Sequence, residues 1–359
     1  LRENARAEEE PGRILHEYRC STEHMLPPIE LGWDMPYYGS VDATPLYVAL
    51  IGAYCDRFGL AILSERVHNR AGCMVSIRTG LERALGWIER RLASTGYICV
   101  LRAQPGGLQN QAWDDSYDSH YDESGALFDP EVPYAPVEVQ GYAYDALLVG
   151  AVLTESPARA LHLNALATML RRNVLGEFWL PDAGTFAPAL VLDQPLRSPG
   201  RIVASSPGHL LASRLLDAND VADQRRALIA RLLRADMLAP AGIRTKSTGA
   251  PRFGAGSYHN GSVWPVDTGI IADGIRRHGY TAEADDLEDR VVAACASVGG
   301  FVEFFRGDSD RVTINARLLD VEQDGQLRRI EQPPQRTQGW TVTRVWRALR
   351  RRARLAGGH

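Results

Sequence analysis

The sequence predicts an all-α fold, and three observations carry that expectation. Apolar residues recur at i, i+3, i+4 and i+7 in one segment after another, proline and glycine fall between those segments, and the alternating pattern that strands need is almost absent. In chain order, Leu46, Ala49, Leu50 and Ala53 form the first helical stripe and Leu81, Ala84, Leu85 and Ile88 the second. Tyr144, Leu147, Leu148 and Ala151 form the third, and Leu163, Leu166, Ala167 and Leu170 the fourth. Weaker patterns predict helices over Leu228–Leu233, Ile270–Ile275, Leu287–Cys295 and Val342–Leu349, for about nine in all.

The breaks lie at Pro36–Pro45, Pro105–Gly107, Pro130–Pro136, Pro181–Pro207, Pro240–Gly256 and Gly299–Gly307. Several of these connections are long and carry tryptophan and tyrosine, which argues for ordered, functional loops rather than linkers. The expected arrangement is a set of helical hairpins holding a ring of loops around one site. A chain of 359 residues exceeds the usual domain size but suits one large toroidal or barrel domain spanning 1–359, with 1–36 as an extended lead-in. The basic run Arg347–Arg354 reads as a solvated helix face rather than a partner site.

A net charge of -4 gives no electrostatic footprint for nucleic acid. Cys20, Cys55, Cys73, Cys99 and Cys295 form no CxxC pair, and their odd number excludes complete internal pairing, so they read as reduced thiols of a cytoplasmic protein. The start, LRENARAEEEPGR, has no methionine and no signal-peptide core, and no apolar run is long enough for a membrane span. These features predict a protein without membrane contact, cut from something longer. His16, His209 and His259 lack metal-like spacing, and neither GxSxG, a P-loop nor GxGxxG occurs, so no metal or cofactor is expected.

The most informative stretch is Gly106 to Ser119, GGLQNQAWDDSYDS, which packs amides, a tryptophan and three carboxylates beside helix-breaking sequence. Such a mixture suits neither a core nor an ordinary solvated loop. It is accompanied by EPGRILHEYR (Glu10 to Arg19), YYGSVDATPLYVAL (Tyr37 to Leu50), VEVQGYAYDAL (Val137 to Leu147), SSPGHLLAS (Ser205 to Ser213), GIRTKS (Gly242 to Ser247) and SYHNGSVWPVDTGIIADG (Ser257 to Gly274). Together, and in this order over nearly the whole chain, these segments resemble the bacterial amylo-α-1,6-glucosidase family, related to the glucosidase domain of glycogen debranching enzymes. The resemblance implies an (α/α)6 barrel, hydrolysis of an α-glucoside with inversion, and a pair of carboxylates as acid and base.

The family's N-Q-x-W-x-D-S pattern puts the general acid on Asp115, two residues after Trp113. An aromatic wall with Asp114 and Asp118 as negative neighbours would keep such a carboxyl protonated, as a proton donor requires. The alternative is that Asp115 caps its loop or binds a structural cation. The segment GGFVEFFRGD (Gly299 to Asp308) resembles the family's P-E-L-F-x-G motif, which puts the base on Glu303, although an exposed glutamate on an edge strand would also fit the residues. Sugar contacts are expected from Tyr37, Tyr38, Asp42, Trp113, Gln140, Tyr142, His259, Asn260, Trp264 and Asp267. Asp42 could equally cap the helix that follows it, and Trp113 and Trp264 could be core tryptophans.

The sequence departs from the family at five places. Asp114 stands where lysine is common, Val266 where W-P-H-D has histidine, Val302 where proline is usual, Arg306 where a small residue is usual, and PPQRTQGW (Pro333 to Trp340) is an eroded S-P-Q-A-W segment. The family's upstream β-rich domain and first barrel helices have no counterpart, which predicts an exposed apolar flank covered by another chain or by further residues. Three readings follow: a glucosidase for an α-1,6 branch, a hydrolase of a small glycoside or disaccharide on the same fold, and a degenerate carbohydrate-binding protein.

Overall fold

The computed structural model describes residues 4–19, 32–69, 72–102, 104, 106–193, 195–315, 319–323, 326–330 and 333–356. Cys20 lies outside the described residues. The chain groups into two compact units, one of residues 1–120, 128–179 and 189–199, the other of residues 121–127, 180–188 and 200–359.

The first unit is built on four helices: α1 (Ala43–Phe58), α2 (Ile77–Thr95), α3 (Val137–Leu153) and α4 (Pro157–Glu177). Local chemistry sets their ends. The Ser76 hydroxyl accepts the Thr79 N–H at the start of α2, and Ser156 does the same for Arg159 at the start of α4, where Pro157 occupies the first turn. Gly96, at φ 84°, closes α2 with its N–H on Leu92 O. Helix α3 buries Val139, Ala143, Ala146, Leu147 and Gly150 with no continuous polar face, so it is the central helix, and Leu85 of α2 and Leu163 of α4 fill the space over Gly150. Strands β1 (Arg66–His68) and β2 (Met74–Ser76) pair antiparallel, and β3 (Tyr134–Pro136), β4 (Ala189–Val191) and β5 (Ser198–Pro199) form a small sheet in that order.

The stripe expected on α2, Leu81, Ala84, Leu85 and Ile88, is the buried one, and of that expected on α4 Leu163, Ala167 and Leu170 are buried while Leu166 is half-buried. On α1 the expected face is the wrong one. Leu46 and Leu50 are 43% and 65% exposed, and the helix buries Thr44, Val48, Ile51, Gly52 and Cys55 instead. Both faces of α1 satisfy the same spacing, so periodicity could not choose between them. The exposed ridge continues through Tyr54 and Phe58.

The second unit holds α5 (Ala222–Leu232), α6 (Pro265–Arg277), α7 (Thr281–Val298) and α8 (Gly339–Ala356). Two antiparallel pairs accompany them: β6 (Leu238–Ala239) with β7 (Gly242–Ile243), and β8 (Leu319–Gln323) with β9 (Gln326–Ile330). Val263, Val291, Ala294, Val302, Phe305 and Val345 form one core. The basic run is not a freely solvated face: Arg344 and Arg347 pair with Asp273 of α6, and Arg351 with Glu288 of α7 at 2.5 Å, which docks α8 onto both helices. Each α-helix read from the sequence is present. The strands of two or three residues were missed because they leave no alternation to detect, and the five-residue pair β8 and β9 was missed as well.

Gly274 on α6 lies against the 3-10 turn Ser206–Leu211, where a Cβ would sit 2.6 Å from Leu211 Cβ and 2.7 Å from the Ala212 nitrogen. Gly274→Ala should therefore destabilise by about 1–3 kcal/mol despite alanine's better helix propensity. A thermal midpoint equal to or above wild type would show that the turn yields freely.

Burial pushes the Cys99 and Cys295 thiols up to about 11. Among the described residues, no helix is long and apolar enough to cross a membrane, and no cluster of three or more His, Cys, Asp or Glu side chains could hold a metal ion.

Candidate active site

The loop carrying Asp115 is shaped by Asn110 and Ser119. Asn110 accepts the Tyr134 hydroxyl at 2.8 Å and donates to Ser116 O at 2.6 Å and to Ser119 Oγ at 3.2 Å. The Ser119 hydroxyl points at Asp114 O and Ser116 O, 2.5 and 2.8 Å away, so the backbone on either side of Asp115 is held by side chains of its own loop. Within this frame Asp114 and Asp115 diverge. Asp114 is fully buried with Oδ1 3.2 Å from His120 Nε2, whereas Asp115, like Trp113, is half-buried and reachable.

Tyr134 on β3 reports the charge around it. Burial, then the negative charges of Asp114, Glu138 and Asp115, push its hydroxyl well above a tyrosine's ordinary range. Of the expected carboxylate neighbours Asp114 is in this group and Asp118 is not among the charges acting on Tyr134, while Glu138 on the first turn of α3, buried to 1% exposure, is one the sequence reading passed over. A glutamate inside an otherwise apolar helix, VEVQGYAYDAL, was the available signal. The His120 ring lies 4.7 Å from the Tyr134 ring, beside Asp114.

A second network anchors the near end of the loop. Glu8 is completely buried and takes a left-handed backbone at φ 55°, unusual for a residue with a side chain. Its carboxylate accepts from Gln111 Nε2 at 2.9 Å and from the Tyr37 hydroxyl at 3.2 Å, and lies 3.7 Å from Arg13 Nη1. Arg13 in turn donates to Gln111 Oε1, Ser40 O, Glu8 O and Glu10 Oε1. Burial lowers the Arg13 guanidinium to about 10, which leaves it charged at neutral pH. The same side chains thereby hold two segments, 40–42 before α1 and 107–111 before Asp115, with Val41 N donating to Gln111 O across them.

Glu303 belongs to the second unit and is 5% exposed. Its Oε1 accepts the Tyr258 hydroxyl at 2.8 Å and its Oε2 the Gln335 N–H at 3.1 Å, while its own N–H donates to Gln335 O. Tyr258 stands edge-on to Trp264 and Phe304, which stack on each other at 5.4 Å. The alternative of an exposed edge-strand glutamate is excluded. A buried carboxylate with one donor on each oxygen keeps a further lone pair on each for a small hydroxylic molecule.

The remaining expected sugar contacts divide. Tyr37 and Gln140 are fully buried and engaged: Tyr37 OH joins Glu8 and the Leu108 N–H, and Gln140 pairs with Ile98 N, Ile98 O and Pro136 O. Both hold backbone in place, which corrects the expectation of sugar contact. Trp264 is 3% exposed with its indole N–H on Tyr258 O, so the core alternative describes it. Asp267 is buried and bonded to His209 Nε2 at 2.7 Å, and His259 and Asn260 are buried as well. Tyr142 and Asp42 keep partial exposure, whereas Tyr38 is buried.

Asp42 stands at the N-cap of α1 but makes no side-chain cap bond there; Ser40 Oγ accepts the Ala43 N–H and donates to Asp42. Although part of its surface is exposed, desolvation dominates and raises its carboxyl above the usual range, opposed by Ser40 and by His16.

Comparison with known proteins gives a consistent setting. Residues 63–341 match the mannosylglycerate hydrolase MGH1-like glycoside hydrolase domain, a stretch that includes Asp115 and Glu303 but neither Tyr37, Tyr38 nor Asp42. A mannosylglycerate hydrolase of Rubrobacter radiotolerans is 35% identical over 95 residues, 24% of this chain and 21% of that protein. Among solved structures, the GH63 mannosylglycerate hydrolase from Thermus thermophilus in complex with Tris superposes with a TM-score of 0.59 at 15% identity, over 95% of this chain and 84% of that one. The same enzyme with Tris and D-glycerate gives 0.55 at 15% identity, over 94% and 83%. At that identity the likeness speaks to the fold. The family and the curated relative replace the expected amylo-α-1,6-glucosidase family, while the six-hairpin glycosidase class stands.

Proposed function

The chain belongs to the mannosylglycerate hydrolase MGH1-like glycoside hydrolase domain family, and from that premise we propose that it hydrolyses a small α-linked glycoside whose aglycone is a short hydroxy acid, as in mannosylglycerate. The single observation that carries this reading is the family match across residues 63–341, which takes in both carboxylate-bearing loops. The small-glycoside alternative open at the sequence level thus gains over an α-1,6-linked glucan branch. An (α/α)6 toroid spanning 1–359 is the architecture proposed with it.

In this reading Asp115 is the general acid and Glu303 the general base. Glu303 takes a proton from a water as its oxygen bonds to the anomeric carbon from the face opposite the aglycone. The glycosidic C–O bond breaks, its electron pair going to the leaving oxygen, and Asp115 supplies the proton that oxygen needs. One water is consumed, the sugar is released with inverted configuration, and exchange with solvent restores both carboxyl groups. The half-buried position of Asp115 suits a group that must meet a leaving oxygen, and the buried carboxylate of Glu303, held by Tyr258 and Gln335, suits one that must hold a single water. Trp113, Tyr142 and Asp42 are the proposed sugar contacts that keep accessible surface. His259, Asn260 and Asp267 are proposed to shape the site from within the fold.

Incubation with mannosylglycerate, its glucosyl analogue, isomaltose and panose, followed by NMR of the anomeric proton during the first minutes, tests this. The expected result is release from a hydroxy-acid glycoside with the β-anomer formed first. Release from isomaltose and panose alone would return the substrate to the α-1,6-glucans, and the α-anomer formed first would exclude inversion.

A further inference from the structure

Tyr258 is the side chain outside the acid–base pair whose contact with a reacting group is most direct. Its hydroxyl has one proton and gives it to Glu303 Oε1 at 2.8 Å. The residue is itself immobilised from behind. Its carbonyl accepts the Trp264 indole N–H at 2.9 Å and the Ser262 hydroxyl at 2.5 Å, and its ring packs edge-on against Trp264 at 4.9 Å and Phe304 at 5.2 Å. The Gln335 N–H holds the other carboxylate oxygen at 3.1 Å. A carboxylate on a flexible glutamate side chain is thereby pinned at both oxygens by donors that cannot move independently. One donor is backbone and the other a ring wedged between two aromatic side chains.

We propose that Tyr258 is a positioning residue for the reaction, fixing the rotamer of Glu303 and saturating Oε1 on one side so that a water is met along the remaining lone pairs. This rests on the reading of Glu303 as the base. Trp264, expected as a sugar platform, acts in this scheme as the support of Tyr258, which accounts for its burial. The physical reason is preorganisation: a base displaced by a rotamer change loses its water before any loss of fold is felt.

The test is Tyr258→Phe, which removes one oxygen and keeps the ring between Trp264 and Phe304. Steady-state release of mannose from mannosylglycerate should show kcat lower by about tenfold to a hundredfold, the size expected for a lost hydrogen bond to a charged group. KM should stay within about twofold and the thermal midpoint close to wild type, since the substrate is not touched and the packing is retained. A loss carried mainly by KM, or kcat unchanged, would overturn the proposal. So would a loss of kcat that only follows a loss of folded protein, read from circular dichroism and the thermal midpoint. Glu303→Gln separates this from failure of the underlying reading. If Glu303→Gln hydrolyses normally, Glu303 is not the base and the inference goes with it; if Glu303→Gln is inactive but Tyr258→Phe is not, only the role of Tyr258 is wrong.

Discussion

Asp115→Asn is expected to lower mannosylglycerate hydrolysis by about 10²–10⁴-fold with little change in stability. The stability half follows from position: Asp115 is half-buried, so exchanging its carboxyl for an amide of equal size leaves the core alone. The kinetic half follows from its proposed task, and the leaving group makes it specific. Fluoride departs without a proton, so on the α-mannosyl fluoride the same variant should retain most of its wild-type rate. Glu303→Gln should be impaired on both substrates, because a water must be activated in either case. Equal loss on glycoside and fluoride for Asp115→Asn would remove the acid role from Asp115. Asp114→Asn provides the contrast: Asp114 is fully buried beside His120, and its replacement should lower the thermal midpoint.

Glu8→Gln is expected to produce the largest loss of stability, about 3 kcal/mol or more. Breaking a buried ion pair from one side leaves Arg13, 1% exposed, with the part-exposed Glu10 as its remaining carboxylate partner and removes an acceptor from a site that is 0% exposed. The amide would also bring donors of its own towards Gln111 and Tyr37, which already donate to that carboxylate. For a chain of this length the loss corresponds to a fall in the thermal midpoint of at least about 5 °C. The comparison is Glu17→Gln, which removes an ion pair with Arg19 whose side chains are 30% and 31% exposed and should change the midpoint by little. Equal midpoints for the two variants would show that the buried network contributes nothing beyond a surface pair. Because Gln111 begins the turn towards Asp115, Glu8→Gln should also lower turnover of the protein that remains folded.

What could be read from sequence differs between helices and contacts. The stripes Leu81 to Ile88 and Leu163 to Leu170 identified both the helices and their inward faces, since on α2 and α4 the apolar face is unique. On α1 both faces carry apolar residues at helical spacing, and only packing against the unit's core selects Val48, Ile51 and Cys55. The polar residues followed the same rule. Asp115 could be singled out from Asp114 by its place in a motif, and the structure separates the two further, with one half-buried and one against His120. Gln140 and Tyr37 share the chemistry of sugar-binding residues, and nothing local says that Ile98, Pro136 and Glu8 would claim them.

Sequence alone determined the helical class, the glycosidase resemblance and the two carboxylates on which function is proposed, because each rests on local spacing or on a motif within a few residues. Tertiary structure decided which polar side chains are left with accessible surface. It placed Glu8 against Gln111 across 103 positions and Tyr258 against Glu303 across 45. Whether a tyrosine or glutamine faces a substrate or a backbone amide depends on what folding brings to it from far along the chain, and no local pattern records that.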